Sequence, residues 1–511
     1  LISNSDFKVI GTSGDFPRSV TSWSGARLYS SSAVHEDVIA GAVNLSSATY
    51  EQYRHLWDDE DGALYNLLTA NGRYGESDAI KNALMIYMPE ENETGDEDYG
   101  PTAYGYTSAS FSIEKNAYYK LSVDVLTYGI AGDPDNEDAD PGARIYVSSA
   151  TYAEFAGIDT DGKWVTYEIY IEGGVSSSSS LTVNLSLGKY SSYYSDGLTT
   201  GYAFFDNVTL EKLTDDEGGM TAAEKYADAT EREKDQYEAE KNDPAEVRTV
   251  ATASLKLTNG GFEFGSTSIA SSTAPSGWSM VRGDSAPSSD RFNGIVSLSS
   301  FEEDYADFVS SSYYIKDGDS VKRYYPAEQL AGIADRVAKR DGVMGDNVYM
   351  LSQQLMTAQG IRTSRDIVIE KNKYYILSVD VYLVNIYGAG MTLRLTGSGN
   401  DIEITGIASN PTGDDNAVVY GSPEQGKSTA GWTTFTFVIH GNSYRDMSYK
   451  MEMWLGTDTP SDNTETTYTR YTSTTSSGSS QKTYTTGGTF STGWAFIDNL
   501  TLKETDEAGF D

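Results

Sequence analysis

The sequence IEKNAYYKLSVDV at Ile113–Val125 recurs as IEKNKYYILSVDV at Ile369–Val381, and eleven of the thirteen positions are identical. In the second half of both copies, apolar Leu and Val alternate with polar Ser and Asp. This period of two predicts a strand with one face in a core and the other face open. A match of this length within one chain indicates an internal duplication.

Further blocks recur in the same order on both sides of this one. GYAFFDNVTL at Gly201–Leu210 returns as GWAFIDNLTL at Gly493–Leu502, and a short Leu-Ser-Ser block is repeated near the start of each copy. The offset between the copies grows along the chain, so the second copy carries longer insertions. We therefore predict two homologous domains, at residues 1–213 and 254–505.

The segment between the two copies, residues 214–253, has a different composition. Thr221–Lys241 is rich in Ala, Glu and Lys and contains no Gly or Pro, and Asn242-Asp243-Pro244 follows it as a stop signal. We predict a charged helix of about five turns that acts as a semi-rigid spacer. The helix has no apolar stripe that would mark it as a partner-binding element.

Strand patterns are clear in both copies, and three runs of the second copy illustrate them. Tyr375–Tyr382, Thr433–His440 and Tyr449–Leu455 each alternate between apolar and polar residues, and Gly, Asn and Ser loops separate such runs. Half-buried strands joined by such loops favour an antiparallel β-sandwich. The predicted fold class is all-β.

Three segments interrupt the strand patterns. Residues at about 46–75 and 300–343 contain runs with helical spacing, and both follow the repeated Leu-Ser-Ser block, so we predict helical inserts at one shared loop. Residues 458–492 are rich in Ser, Thr, Tyr and Gly without an apolar pattern, and we predict an extended loop or a long hairpin there.

Charge and composition exclude several classes of function. The 511 residues include 75 Asp and Glu against 37 Lys and Arg, which gives a net charge of −38. Such a field repels nucleic acid and anionic lipid, and no apolar run is long enough to span a membrane. The chain has no Cys, which excludes disulfides, thiol catalysis and Cys-ligated metal sites. Its three histidines are scattered, which argues against a His-rich catalytic metal site.

Catalytic signatures are also missing. The sequence contains no G-x-S-x-G, Walker or dinucleotide-binding motif. Asp124 and Asp380 recur on the open strand face, but each is the only acid in its strand, so a glycosidase pair is not indicated. We predict a protein without enzymatic activity.

Taken in order, the repeated motifs resemble a known family. They comprise NGGFE at Asn259–Glu263, PSGW at Pro275–Trp278, Tyr-x-Leu-Ser-Val-x-Val and a final Ala-Phe-x-Asp-Asn-Leu-x-Leu. This set is similar to galactose-binding-like jelly rolls, in particular the carbohydrate-binding modules of bacterial extracellular proteins. The resemblance implies two jelly-roll β-sandwiches, an extracellular or cell-surface location and a polysaccharide or glycan ligand.

The same resemblance implies one structural Ca²⁺ near the first and last strands of a module. Glu263 and Asp498 occupy those places in the second copy, where two carboxylates would repel one another unless a cation joins them. In the first copy Asp206 is retained, but Lys8 stands in place of the other acid. A Ca²⁺ site is therefore expected mainly in the second domain.

Sugar binding needs flat aromatic faces that stack on a pyranose and planar polar groups that bind its hydroxyls. Residues of these types that alternation places on the open strand face are Trp454, Tyr382, Arg394 and His440 in the second copy, and Tyr146 and Tyr170 in the first. Trp454 leaves three alternatives open: a ligand platform, packing beneath an insert, or contact with another chain. Ser186 replaces it in the first copy, so we expect the two domains to bind different ligands.

Two functions are consistent with these patterns. The first is a non-catalytic glycan-binding and adhesion pair in a bacterial secreted or cell-surface protein, of which this chain is expected to be a mature or excised piece. The second is a structural repeat subunit of a surface assembly such as a filament, surface layer or stalk, with copies of itself as partners. In the second case the many tyrosines would lie in subunit contacts.

Overall fold

The computed structural model of the chain describes residues 2–3, 7, 20–27, 38–44, 62, 66, 82–88, 104–132, 141–147, 153–175, 178–188, 199–243, 247–257, 260–262, 274–282, 291–298, 313–317, 320–324, 347–357, 359–388, 390–397, 401–407, 432–456, 466–475, 478–486 and 491–506. The chain divides into two compact units, Leu1–Leu255 and Lys256–Asp511. Among the described residues, no helix is both long and apolar enough to cross a lipid bilayer.

Within the part of the first unit that the structure describes there are thirteen strands and one helix. These are β1 (Trp23–Arg27), β2 (Ile39–Asn44), β3 (Asn82–Met88), β4 (Tyr104–Ser108), β5 (Phe111–Ile113), β6 (Tyr118–Gly132), β7 (Ala143–Val147), β8 (Glu154–Ile158), β9 (Val165–Glu172), β10 (Ser179–Leu181), β11 (Val183–Leu187), β12 (Thr199–Lys212), α1 (Ala222–Asn242) and β13 (Val250–Ser254).

Two sheets of the first unit pack face to face. The front sheet has the strand order β1-β4-β11-β7-β8, and the back sheet has the order β13-β9-β6-β12-β3-β2. One hydrophobic core lies between them, because alternate residues of the strands point inward, for example Leu121, Val123 and Val125 of β6. The predicted β-sandwich class is confirmed.

Fifteen strands lie in the described residues of the second unit. They are β14 (Trp278–Arg282), β15 (Arg291–Ser297), β16 (Tyr313–Asp317), β17 (Ser320–Tyr324), β18 (Asn347–Thr357), β19 (Gln359–Thr363), β20 (Ile367–Ile369), β21 (Tyr374–Gly388), β22 (Met391–Gly397), β23 (Ile402–Ile407), β24 (Thr433–His440), β25 (Met447–Leu455), β26 (Thr466–Thr475), β27 (Gly478–Thr486) and β28 (Ser491–Thr505).

Among the described strands, the strand order of the second unit repeats that of the first unit except that β13 has no counterpart. Its front sheet runs β14-β19-β25-β22-β23, and its back sheet runs β15-β18-β28-β21-β24. The block that reveals the duplication also forms the same turn in both units, since Asn116 and Asn372 have φ angles of 51° and 57°. Asn is one of the few residues that tolerate this left-handed conformation, which explains why the turn residue is retained in both copies.

Helix α1 does not act as a spacer between the units, contrary to the prediction for residues 214–253. A capping box starts it at Thr221 as expected, with Glu224 as the reciprocal partner. The helix then packs on the back sheet of the first unit, where Ala229 joins Tyr170 and Val250 in a small apolar cluster. The chain returns as β13, which pairs in parallel with β9.

The inserts are described only in part. The first, at about 46–75, lies outside the described residues except for residues 62 and 66, where the Asn66 N–H bonds to the Gly62 carbonyl. In the second, predicted to be helical at 300–343, residues 313–317 and 320–324 instead form the antiparallel pair β16 and β17, and the remainder lies outside the described residues. Within 458–492, the second of the two alternatives is found, a hairpin of β26 and β27.

Both faces of the back sheets are buried at their centres. All seven residues of β3 are buried, and so are Met350, Trp494 and Phe496 in the second unit. Only alternate residues of these central strands face the core between the two sheets. The residues between them form an apolar layer on the other face of the back sheet, so the prediction that each strand has one open face is wrong for these strands.

Candidate functional site on the front sheets

A transverse row of side chains crosses the outer face of each front sheet at equivalent register positions. We call it the front row. In the first unit it comprises Thr107, Asn184, Tyr146 and Glu154, and in the second unit Arg362, Glu452, Arg394 and Glu403. The row faces away from the core because the residues next to its members along each strand, such as Leu185 and Met453, point into the core.

The front row of the first unit is uncharged at its centre. The Thr107 hydroxyl donates to the Asn184 amide oxygen at 2.5 Å, and the Asn184 amide nitrogen donates to the Tyr146 carbonyl at 3.5 Å. The Arg144 guanidinium carbon lies 5.0 Å from the Tyr146 ring centroid and forms an ion pair with Glu154. A half-buried aromatic ring is thus flanked by an amide, a hydroxyl, a guanidinium and a carboxylate.

The front row of the second unit forms a closed ionic network. Glu452 accepts hydrogen bonds from Arg394 at 2.5 and 3.1 Å and from the Trp454 indole N–H at 3.0 Å. The Thr396 hydroxyl adds a bond at 3.3 Å, and Arg362 lies 3.8 Å away. Trp454 is only 3% exposed. The platform alternative for Trp454 is therefore wrong, because its ring is buried and its N–H is already bound.

The remaining candidates of the second unit lie on the other sheet. Tyr382, on β21, is buried and packs edge-on against Trp432 at a centroid distance of 5.8 Å. His440, on β24, is exposed and stacks on Tyr374 at 4.3 Å. Tyr382 lies eight residues beyond Tyr374 along β21, about 27 Å at the usual rise of a strand. Trp454 and Arg394 thus meet, whereas Tyr382 and His440 join neither them nor each other.

Tyr170 also differs from its prediction. It lies on the back sheet beneath α1, it is 8% exposed, and its hydroxyl donates to Glu168 at 3.2 Å. Its burial in the cluster with Ala229 and Val250 removes it from any open surface. Of the six predicted ligand-binding residues, Tyr146 alone combines partial exposure with a set of polar neighbours on a front sheet.

Two of the three predicted metal residues, Asp206 and Asp498, lie in a duplicated structural motif that sequence reasoning missed. Asp206 and Asp498 each precede an Asn with positive φ, whose backbone N–H they accept. The Asn207 amide donates to Asp124 at 2.8 Å, and the Asn499 amide donates to Asp380 at 3.0 Å. The Asp-Asn pair in both repeated blocks was the available signal, and it fixes a bulge between neighbouring strands.

The calcium prediction remains a prediction. Glu263 and Lys8 lie outside the described residues, and no group of three potential metal ligands occurs within the described part of the chain. Asp498 is 3% exposed and neighbours Asp380, itself 7% exposed, across the β21–β28 ladder. Two buried carboxylates on one face are a donor set that suits a hard cation.

No protein-family model matches the chain, and no curated protein matches it in sequence. The solved structures similar to it include an apo-form cyclase from Fischerella sp., with 14% identity, a TM-score of 0.25, and coverage of 41% of this chain and 93% of that one. They also include the CBM22-1–CBM22-2 tandem domain of Paenibacillus barcinonensis Xyn10C, with 10% identity, a TM-score of 0.20, and coverage of 98% and 96%. A third is TmCBM61 in complex with β-1,4-galactotriose, with 12% identity, a TM-score of 0.19, and coverage of 49% and 98%. The last two are carbohydrate-binding modules, the class that the motifs resemble, but these TM-scores are too low to support an argument about function.

Proposed function

We propose that the chain is a non-catalytic glycan-binding module pair of a secreted or cell-surface protein, and that its sugar site is the front row of the first unit. The observation that supports this site is the half-buried Tyr146 ring with the Asn184 amide and the Glu154 carboxylate beside it. An aromatic face provides area for the C–H side of a sugar, and planar polar groups orient its hydroxyls.

The second unit has a different role in this proposal. Its front row has the same register, but Arg394 and Glu452 bind each other and Trp454, and all three are nearly fully buried. A ligand would have to break a buried ion pair to enter, and breaking such a pair costs about 3–5 kcal/mol. The sugar site is therefore assigned to one unit of the two.

The test is a screen of soluble polysaccharides and a glycan array with the full chain, followed by titration calorimetry on any hit. We expect Tyr146→Ala to weaken binding at least tenfold while the melting temperature stays within a few degrees. Tyr444→Ala is the matched control, because Tyr444 is 87% exposed and belongs to the second unit, whereas the proposed site belongs to the first. Undiminished binding by Tyr146→Ala would refute this location.

A second candidate function is the structural subunit of a surface assembly. The observation that favours it is Val438, which is 47% exposed on an edge strand of the second unit. If the screen detects no glycan, this function takes precedence, and analytical ultracentrifugation of the full chain would then be expected to show concentration-dependent association.

We also propose a structural Ca²⁺ bound by Asp498 together with Glu263. Saturating Ca²⁺ stabilises the folded state, by about 2.7 kcal/mol at a hundred times the dissociation constant. We expect EDTA to lower the melting temperature of the wild-type chain and to leave Asp498→Asn unaffected. An identical melting temperature of the wild-type chain with Ca²⁺ and with EDTA would argue against the ion.

A further inference from the structure

The edge of the back sheet differs between the two units at equivalent strands. In the first unit β9 is followed outward by β13, whereas in the second unit the equivalent strand β24 ends the sheet. Among the described strands, none pairs with the outer edge of β24. The outer edge of β9 thus shows how an added strand binds in this fold, and the equivalent edge of β24 carries no described strand.

The occupied edge shows how a strand is received. Gly173 donates to the Ala117 carbonyl, which places the N–H and C=O groups of Glu168 and Glu172 on the outer side of β9. There, Glu168 N–H donates to the Thr249 carbonyl and Leu255 N–H donates to the Glu172 carbonyl, each at 2.8 Å. The added strand β13 runs parallel to β9.

The open edge has the same backbone polarity. Gly441 donates to the Lys373 carbonyl at 2.7 Å, as Gly173 does to Ala117 in the first unit. The backbone groups of Thr434, Thr436 and Val438 therefore point outward, in the positions that receive β13 in the first unit. The strand TTFTFVIH contains no Pro, Lys or acidic residue, so it lacks the usual features that protect an edge strand from pairing.

The face above the edge is open as well. Tyr170 of β9 is covered by α1 and is 8% exposed, whereas Val438, its counterpart on β24, is 47% exposed. Tyr118 packs against Tyr226 of α1 at 5.5 Å, and Tyr374 keeps a tyrosine at the equivalent position in the second unit. The apolar contacts that hold the helix thus have counterparts in the second unit.

The covering segment is a coherent module of a helix and a strand. Glu233 of α1 accepts from the Thr252 hydroxyl at 2.5 Å, and Gln236 accepts from the backbone N–H groups of Thr249 and Val250 at 2.9 and 3.1 Å. These bonds join the helix to the strand rather than to the sheet. Such a module can therefore be recognised as a single piece.

We propose that β24 is a docking edge for a helix–strand module of another polypeptide, which adds its strand in parallel to β24 and lays its helix over Val438. The charges define the partner. In the first unit Arg232 of the helix lies 3.5 Å from Glu168, but Thr436 takes the place of that acid in the second unit. The partner helix therefore carries a neutral or apolar residue where α1 has Arg232.

The experiment uses the full chain and a synthetic peptide of residues 219–257 that carries Arg232→Leu. Binding is measured by fluorescence anisotropy, and its location by hydrogen exchange of the β24 amides. Thr436→Pro removes an outward N–H without disturbing the ladder to β21, whereas the control Thr436→Val keeps that N–H. Val438→Lys places a charge under the helix as an independent block.

We expect the peptide to slow exchange at Thr436 and Val438, and we expect Thr436→Pro and Val438→Lys each to weaken binding at least tenfold while Thr436→Val binds like the wild type. Protection confined to β9 would overturn the proposal, since the peptide would then merely exchange with α1 and β13. Self-association of the chain that is lost in Thr436→Pro would also overturn it, because the occupant of the edge would be β24 of a second copy. No protection at millimolar peptide would equally refute it. The proposal is independent of glycan binding by the first unit.

Discussion

Glu233 links the docking of α1 to pH. The side chain is 5% exposed between the helix and β13, and burial raises its pKa from 4.5 to about 7, although the bond from Thr252 and the charge of Arg248 oppose the shift. The half-buried Tyr226 is another titratable neighbour of Glu233. We predict that Glu233→Gln, which keeps the size and an acceptor for Thr252, stabilises the first unit at alkaline pH.

The magnitude follows from linkage. The folded state binds the proton of the Glu233 carboxyl more tightly than the unfolded state does. The stabilisation that this proton gives the folded state is therefore complete below pH 4.5 and is lost as pH rises through 7. A shift of 7 − 4.5 pH units corresponds to about 3 kcal/mol. Glutamine is neutral throughout this range. The variant is therefore expected to equal the wild type at pH 4 and to exceed it by up to about 3 kcal/mol at pH 8.

The assay is urea unfolding of both proteins at several pH values, with hydrogen exchange of α1 and β13 to locate the effect. The difference between the two proteins removes the contribution of the other acids, which the substitution leaves in place. Thr230→Ser, at an exposed position of the same helix, is the control. A difference that does not change between pH 4 and pH 8 would show that Glu233 has the same pKa in the folded and unfolded states and would refute the reasoning.

Three further predictions concern the second unit. Trp454→Ala is expected to lower its stability by about 3–5 kcal/mol, measured by thermal unfolding, because the ring is buried. Glu452→Ala leaves the buried Arg394 without its carboxylate and should cost about 3–5 kcal/mol, whereas Glu403→Ala, an exposed acid one strand away, should cost less than about 1 kcal/mol. Asn499→Gly keeps the positive φ of 49° and loses only the amide bond to Asp380, so it should cost about 1 kcal/mol, and Asn499→Ala should cost more because it adds strain.

Each of these predictions has an outcome that contradicts it. Wild-type stability of Trp454→Ala would mean that the ring is exposed in solution. An equal loss of stability for Glu452→Ala and Glu403→Ala would show that the buried ion pair of Glu452 contributes no more than an exposed acid. If Asn499→Ala were as stable as Asn499→Gly, the left-handed backbone at this bulge would not constrain the residue.

The strands could be predicted because the alternation of apolar and polar residues along each strand is visible in a single sequence. It also showed the duplication, whose order of blocks reappears as the order of strands in both units. The ends of the helix were predicted to within one residue, at Thr221 and Asn242, because the capping and stop signals are formed by neighbouring residues. Features that depend on adjacent residues could thus be predicted.

Features that depend on distant segments could not. Alternation places Trp454 away from the core but does not reveal whether another part of the chain covers it. The partners Arg394 and Glu452 are on different strands, so their pairing depends on a register that the sequence does not show. The role of Ala229 was missed because a single small residue among charges gives no apolar stripe, although it is enough for close packing on Tyr170.

The divergence of the two front rows has a consequence for valency. Tandem modules usually gain from bivalency, because the first contact raises the effective concentration of the second. Under the function proposed above, only the front row of the first unit binds sugar, because Arg394 and Glu452 close the other row, and such a chain cannot gain in this way. Tight attachment to a polymer would then require several chains side by side, and clustering of chains, rather than the affinity of one, would decide how strongly a surface adheres.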